Sequence, residues 1–415
     1  MLVRSVHQVR SVAMGDVTAW RDGELTVSAD EARHLVDAPS LADVRVSWAS
    51  PGEPVRIVKV LDAVEPRTKG PGGGGIFPGW LQANGQPPGQ GVTHVLRGAA
   101  VVVAGYLPRA QEAVIDMTGP AAELSPFGTT HNLVIEFTPA PDADWADVDD
   151  ALRRGSLALA ARLAEAALDA PPDEEETLPE PEAVEGLPRI AAITNLQTQG
   201  VFKDVFVRGT SFNGQAPTLI EPGEIDDGAV VSGQYGHPSL RNPTWVHQNH
   251  PVANALRARH GVDLAFGGVV LSPEPVSAAD KARISITAAE LCAQAGFDAV
   301  ILTKEGGGNA DADMALKMDA LEDMGIVTVG LFAEMAGPDG TGPPIVVAPE
   351  RATAMVSTGN YDTRLSLPEM ERALGGEQLA LLGVPAASAM ELPTAVILAS
   401  LSPLGWGRLT CSPEA

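Results

Sequence analysis

AVILTKEGGGNADADMALKMDALEDMGIVTVGLF, Ala299 to Phe332, reads as a β-branched strand, a glycine-rich turn, a helix and a second strand. Similar apolar runs lie at Arg189 to Ile193, Phe266 to Leu271, Ala299 to Thr303 and Val327 to Phe332. Helical patterns fall between them at Ala278 to Gly296 and Asp311 to Met324. Strands that alternate with helices imply βαβ units, because parallel neighbours need a crossover connection. The region 189–415 is therefore expected to be an open, mostly parallel αβα sheet domain of Rossmann-like α/β type.

Upstream the pattern changes. The stretch APPDEEETLPEPEAVEGLP, 170–188, is acidic, proline-rich and poor in large apolar groups, and is read as a linker. The runs Val44 to Trp48, Val55 to Leu61, His94 to Tyr106 and Asn132 to Phe137 are β-branched and separated by Gly/Pro turns, so they predict strands. Trp145 to Leu168 carries a leucine pattern of helical period. The fold class expected is α/β, with a β-rich α+β N-terminal domain over 1–169 preceding the parallel sheet.

Composition limits function. A chain of 415 residues suggests two domains. No window approaches the roughly 20 apolar residues of a membrane span. Met1 to Arg10 is polar where an export signal would be apolar, so a cytoplasmic location is expected. A formal charge of −25 disfavours nucleic acid, which requires a basic surface, and favours small molecules or other proteins as partners. The two cysteines fit no disulfide or zinc pattern: Cys292 reads as a buried apolar group and Cys411 as a candidate thiol.

Three stretches carry polar chemistry. The turn with Gly306, Gly307 and Gly308 would lie beyond a strand's carboxyl end, where such sheets bind ligands. The glycines permit close backbone approach, and the helix start favours an anionic group, with Asn309 and Asp311 as binding residues or caps. It is neither GxGxxG nor a P-loop, so no nucleotide is implied. The stretch SGQYGHPSLRNPTWVHQNH, Ser232 to His250, gathers His237, His247 and His250. They suit proton transfer or a metal, although no HExxH-like spacing supports a metal and His250 sits where a helix begins. In the first domain, Gly70 to Trp80 reads as a loop, and Glu112, Asp116, Ser125 and His131 as a possible polar group or as turn residues. No GxSxG supports a serine hydrolase.

Taken in order, several segments resemble the proprotein of component B of the glycine, sarcosine and betaine reductases. They are VRIVKVLDAVEPRTKGPGGGGIFPGW, THVLRGAAVVVAGY, VIDMTGPAAELSPF, LQTQGVFKDVFVRG, GAVVSG, NPTWVHQNHPV, RHGVDLAFGGVVLS and KEGGGNADADMALKM. The resemblance covers most of the chain, with the D-proline reductase proprotein a more distant relative. It implies an enzyme that binds a small amine through a pyruvoyl carbonyl while a selenol or thiol on a partner subunit attacks. In that family the pyruvoyl forms when the proprotein cuts itself at an Asn–Cys bond within SGNC. Here the matching residues are Ser232, Gly233, Gln234 and Tyr235.

A cysteine thiol can accept the backbone acyl group and then leave by β-elimination; the phenol of Tyr235 is on a ring that cannot eliminate. The expectation is an uncut chain with no cofactor. Three functions follow: a divergent reductase subunit, a non-catalytic scaffold of such a complex, or a metal-dependent lyase or hydrolase at the histidines. For the first, Tyr235, Gln234, His237, His250 and Glu305 are the catalytic candidates. Gly306, Gly307, Gly308, Asn309, Asp311 and His247 are the substrate-binding candidates. A small-molecule substrate and a thiol- or selenol-bearing partner subunit in a hetero-oligomer are the expected partners.

Overall fold

The structure, a computed structural model, describes residues 1–71, 74–81, 87–108, 112–198, 204–232, 238–380, 382–402 and 404. The chain is mixed α/β. Its largest sheet has six strands in the spatial order Thr218–Ile220, Ala265–Glu274, Arg189–Gln197, Ala299–Thr303, Val327–Glu334 and Ala354–Asn360. The last five are parallel, and Thr218–Ile220 runs antiparallel at the edge. In chain order the parallel strands lie 2-1-3-4-5. The order reverses between Arg189–Gln197 and Ala299–Thr303, which is where such sheets open a crevice.

Both faces are covered. From strand Arg189–Gln197, Ala192 and Leu196 join the apolar cluster under helix Pro251–Arg259. Ala191 and Ile193 point the other way, into the cluster under helices Ala278–Gln294 and Asn309–Asp323. The period of two in a strand produces this division. Cys292 belongs to the second cluster, where burial pushes its thiol up to about 12; Cys411 lies outside the described residues.

The N-terminal strands form separate small sheets, and two readings of the sequence are corrected here. The run His94 to Tyr106 is two strands, Gly91–Arg97 and Ala99–Ala104, in different sheets. Gly98 between them has φ +90°, and a Cβ there would stand 2.8 Å from the Gln8 side chain. Val55 to Leu61 breaks likewise into Val55–Ile57 and Val60–Val64, with Lys59 at φ 53°. Helix Trp145–Glu165 buries its leucines against this half.

The acidic segment 170–188 is not simply a linker. Its residues Glu174–Leu178 form an edge strand antiparallel to Leu2–Gln8, with Leu2 opposite Leu178. An edge strand needs only one apolar face, and its carboxylates meet arginines: Glu176 contacts Arg4 and Arg97, each at 2.8 Å. Nor is 189–415 all parallel sheet. Arg372–Leu374 pairs with Val55–Ile57, and Leu367, Leu379, Leu392 and Ile397 pack with Val58 and Val114. Among the described residues no helix is long and apolar enough to cross a membrane.

Arg56 fastens this returning segment. Fully buried, it pairs with Asp116 at 2.6 Å and donates to the carbonyls of Ala386 and Ser388 at 2.9 Å and of Pro368 at 3.0 Å. Removing it leaves a buried carboxylate and three carbonyls without a donor. Arg56→Ala is expected to lower stability by about 3–5 kcal/mol in chemical denaturation; a loss under about 1 kcal/mol would contradict the clamp.

Candidate functional site

In the three central strands the buried polar residues lie at the carboxyl ends. Thr194, Asn195 and Gln197 end one central strand, Ser272 and Glu274 its neighbour, and Thr303 the strand on the other side. Register places Asn195 opposite Ser272, Gln197 opposite Glu274 and Thr194 opposite Thr303. All are buried. These ends converge beside the reversal of strand order.

Glu305, fully buried, is at the centre. Its carboxylate accepts from the Gln197 amide at 3.0 Å, the Asn242 side-chain amide at 3.0 Å and the Asn242 backbone at 3.3 Å. Its own N–H donates to Glu274 Oε1 at 3.2 Å. Asn242 is turned by Ser402, which donates to its Oδ1 at 2.8 Å. His247 Nε2 stands 3.6 Å from Glu305 Oε1, and neither ring nitrogen of His247 has a hydrogen-bond partner. Glu274 Oε2 is likewise unpartnered. Burial, then the charges of Asp313 and Glu305, hold the Glu274 carboxyl well above its ordinary range. A carboxyl group with a raised pKa, a second carboxyl group and an imidazole without a hydrogen-bond partner therefore adjoin one another.

Behind them lies a balanced set of charges. Lys317 donates to Asn195 Oδ1 at 2.8 Å, and Lys281 pairs with Asp313. Burial lowers the Lys317 ammonium to about 8. Lys281, Lys304 and Lys317 face the carboxyl groups of Glu305, Asp311 and Asp313, while Glu274 holds its proton to a higher pH than an ordinary carboxyl group. That balance is what burial of so many ions requires.

The glycine turn is built for its backbone. Gly306 and Gly308 have φ +71° and +72°, and a Cβ on Gly307 would meet Met335 Sδ at 2.3 Å. Gly308 occupies the helix cap without any side-chain bond, so neither Asn309 nor Asp311 caps the helix. Asn309 is exposed. Asp311 pairs with Lys304 at 2.6 Å and accepts from the Val346 amide at 2.8 Å, which fixes it as a structural anchor of the turn. Lys304 also donates to Gly306 O at 2.9 Å.

His250 differs from His247. The Ala253 amide donates to its Nδ1 at 3.2 Å, capping helix Pro251–Arg259, which leaves the proton on Nε2, 2.8 Å from Thr194 Oγ1. Burial, the neighbouring His247 and Arg257 lower it to about 3, so it is neutral. Both nitrogens are occupied. Among the described residues no three His, Cys, Asp or Glu side chains are grouped to hold a metal. Gln234, Tyr235 and His237 lie outside the described residues, between Ser232 and Pro238.

The N-terminal half positions His247. Asp62 accepts from the Thr244 amide at 2.9 Å and its hydroxyl at 2.6 Å; burial raises its pKa. Gln248 and the Glu65 backbone bond each other at 2.8 and 3.3 Å, and Arg67 donates to Asn249 at 2.8 Å. Helix Thr244–Gln248 is thus tied to strand Val60–Val64. The first-domain polar residues do not converge. Asp116 serves Arg56, Ser125 donates to Leu398 O at 2.8 Å, His131 bonds Ser50 at 3.0 Å and Glu112 accepts from Ala380 at 2.8 Å.

Glu274, Asn242 and Gln197 are site residues that pattern reading missed. The signal for Glu274 is a carboxylate closing a run of buried strand residues just before Pro275.

The family model described as glycine/sarcosine/betaine reductase component B subunits matches residues 1–394. A protein of Acetoanaerobium sticklandii named glycine reductase complex component B subunits alpha and beta is 36% identical over 97% of both chains. Two proteins of Peptoclostridium acidaminophilum are also similar. One, the sarcosine reductase complex component B subunit alpha, is 35% identical over 88% of this chain and 87% of its own. The other, the betaine reductase complex component B subunit alpha, is 33% identical over 88% of this chain and 86% of its own. No solved structure matches the chain. Together with the ordered segments spread along the sequence, these matches establish that the chain belongs to the family of glycine, sarcosine and betaine reductase component B subunits.

Proposed function

We propose that the chain is a component B-type subunit of a cytoplasmic reductase complex, binds a small substrate beside Glu305, His247 and Glu274, and acts uncut and without a pyruvoyl group. The observation that carries this reading is a buried site kept together at the carboxyl ends of the central strands while Tyr235 stands where the family's SGNC has cysteine. The residues present do not fit the family cofactor. A phenol cannot undergo β-elimination, and Cys292, buried in the apolar cluster with its thiol at about 12, is no substitute.

The chemistry is a thiol- or selenol-dependent reductive cleavage. A thiolate or selenolate on the partner subunit attacks the substrate carbon; a carbon–sulfur or carbon–selenium bond forms as the carbon–nitrogen bond breaks, and the electron pair leaves on nitrogen. The leaving group needs a proton, which neutral Glu274 or the phenol of Tyr235 supplies. Glu305 and His247 orient the substrate. Gly306, Gly307 and Gly308 let it approach the backbone. A scaffold role is the second reading, favoured by the missing cysteine. The metal reading is weakened because His250 has no free nitrogen.

With the partner subunit present, Tyr235→Phe and Glu305→Gln are each expected to cut turnover by on the order of 10²-fold or more. Unchanged turnover in both would point to the scaffold.

Glu274 gives a pH signature. Its folded pKa lies above the unfolded value, so the unfolded chain loses the proton first and stability falls as pH rises from the ordinary carboxyl value of 4.5 upward. Glu274→Gln is expected to flatten that fall in denaturation curves taken at successive pH values. An equally steep decline in the variant would show that Glu274 is ionised in the folded protein.

A further inference from the structure

Asn242 pinches one oxygen of Glu305 from two sides: its backbone N–H and its side-chain amide both donate to Oε1, at 3.3 and 3.0 Å. The two ends of an amide have nearly the same shape, so packing alone does not decide which of them faces Glu305. With Oδ1 turned inward, two acceptors would meet at an oxygen that already takes the backbone N–H. A donor on the far side of the amide settles the direction.

Ser402 is such a donor. Its hydroxyl accepts from the Leu404 amide at 3.3 Å and donates to Asn242 Oδ1 at 2.8 Å. A hydroxyl has one proton, and here it goes to Oδ1, which leaves the NH2 end for Glu305. The serine is itself held in place. The amides of Ala399 and Leu401 donate to Pro238 O and Ser239 O at 3.0 and 3.1 Å, and Thr358 Oγ1 donates to Leu401 O at 3.2 Å. Leu401 packs with Leu240 and Ala333. Ser402 and Asn242 are both buried.

We infer that Ser402 is a positioning residue of the site around Glu305: its hydroxyl sets which end of the Asn242 amide faces that carboxyl group. The inference rests on the reading of Glu305 as a substrate-binding group. It makes the segment 399–402 part of the site, although 160 positions separate Ser402 from Asn242.

Side-chain amide NMR of the full chain carrying isotopically labelled asparagine tests this, with the Asn242 pair assigned by its absence in Asn242→Asp. The wild-type chain is expected to show that pair exchanging slowly with solvent. Ser402→Ala should speed the exchange about tenfold, the factor that one buried hydrogen bond is worth. Ser402→Cys, whose S–H is a weaker donor, should fall between the two. Ser400→Ala is the control, because it removes a buried hydroxyl of the same segment that bonds Thr394 O at 3.2 Å rather than Asn242. It should leave the Asn242 pair as in the wild type. Turnover with the partner subunit present should fall in the order serine, cysteine, alanine at position 402. Wild-type exchange in both Ser402 variants overturns the inference, and so does an equal change in Ser400→Ala, which would assign the effect to packing of the segment. A disturbed Asn242 pair with undiminished turnover upholds the positioning and counts instead against Glu305 as a substrate-binding group.

Discussion

Asp62 is buried, and its carboxyl group takes both the amide and the hydroxyl of Thr244, at 2.9 and 2.6 Å. Burial makes that arrangement costly to break, because a carboxylate stripped of partners in a dry interior is strongly destabilising. Two residues before Thr244, Asn242 holds Glu305; three residues after it, His247 faces the same carboxylate. One ion in the N-terminal sheet therefore sets the distance between groups that the parallel sheet alone does not bring together. The site belongs to both halves of the chain.

The same logic of dry charge shapes the ground behind the site. Four carboxylates and three ammonium groups are buried around the ends of strands Arg189–Gln197 and Ala265–Glu274. Burial and the neighbouring Asp313 and Glu305 push the pKa of Glu274 up. The position of Glu274 next to Glu305, whose amide it accepts, is a consequence of strand register rather than of any local motif.

Four of the five parallel strands were legible because each carries a continuous apolar run; Ala354–Asn360, AMVSTGN, does not and was missed. The glycine turn and Glu305 were legible for the same reason: they follow a strand that sequence alone identifies. The helix-capping place of His250 was legible from Pro251 and the helical run after it, whereas its bond to Thr194, more than fifty positions away, was not. Glu274 and Asn242 were missed because their meaning comes from partners distant in sequence. Gly98 hid a strand break inside an apolar run, and the return of Arg372–Leu374 to Val55–Ile57 has no sequence signature at all. Segment 170–188 misled by composition, as its carboxylates pair with arginines that lie more than seventy residues away.

Tyr235 carries the central claim, and the intact mass of the purified protein, measured with and without a carbonyl-trapping hydrazine, tests it most directly. An uncut chain with no pyruvoyl group gives one species of 43.0 kDa that the hydrazine leaves unchanged. Two fragments, the smaller beginning near residue 235 and trapped by the hydrazine, would contradict it and restore the family's cofactor to this chain.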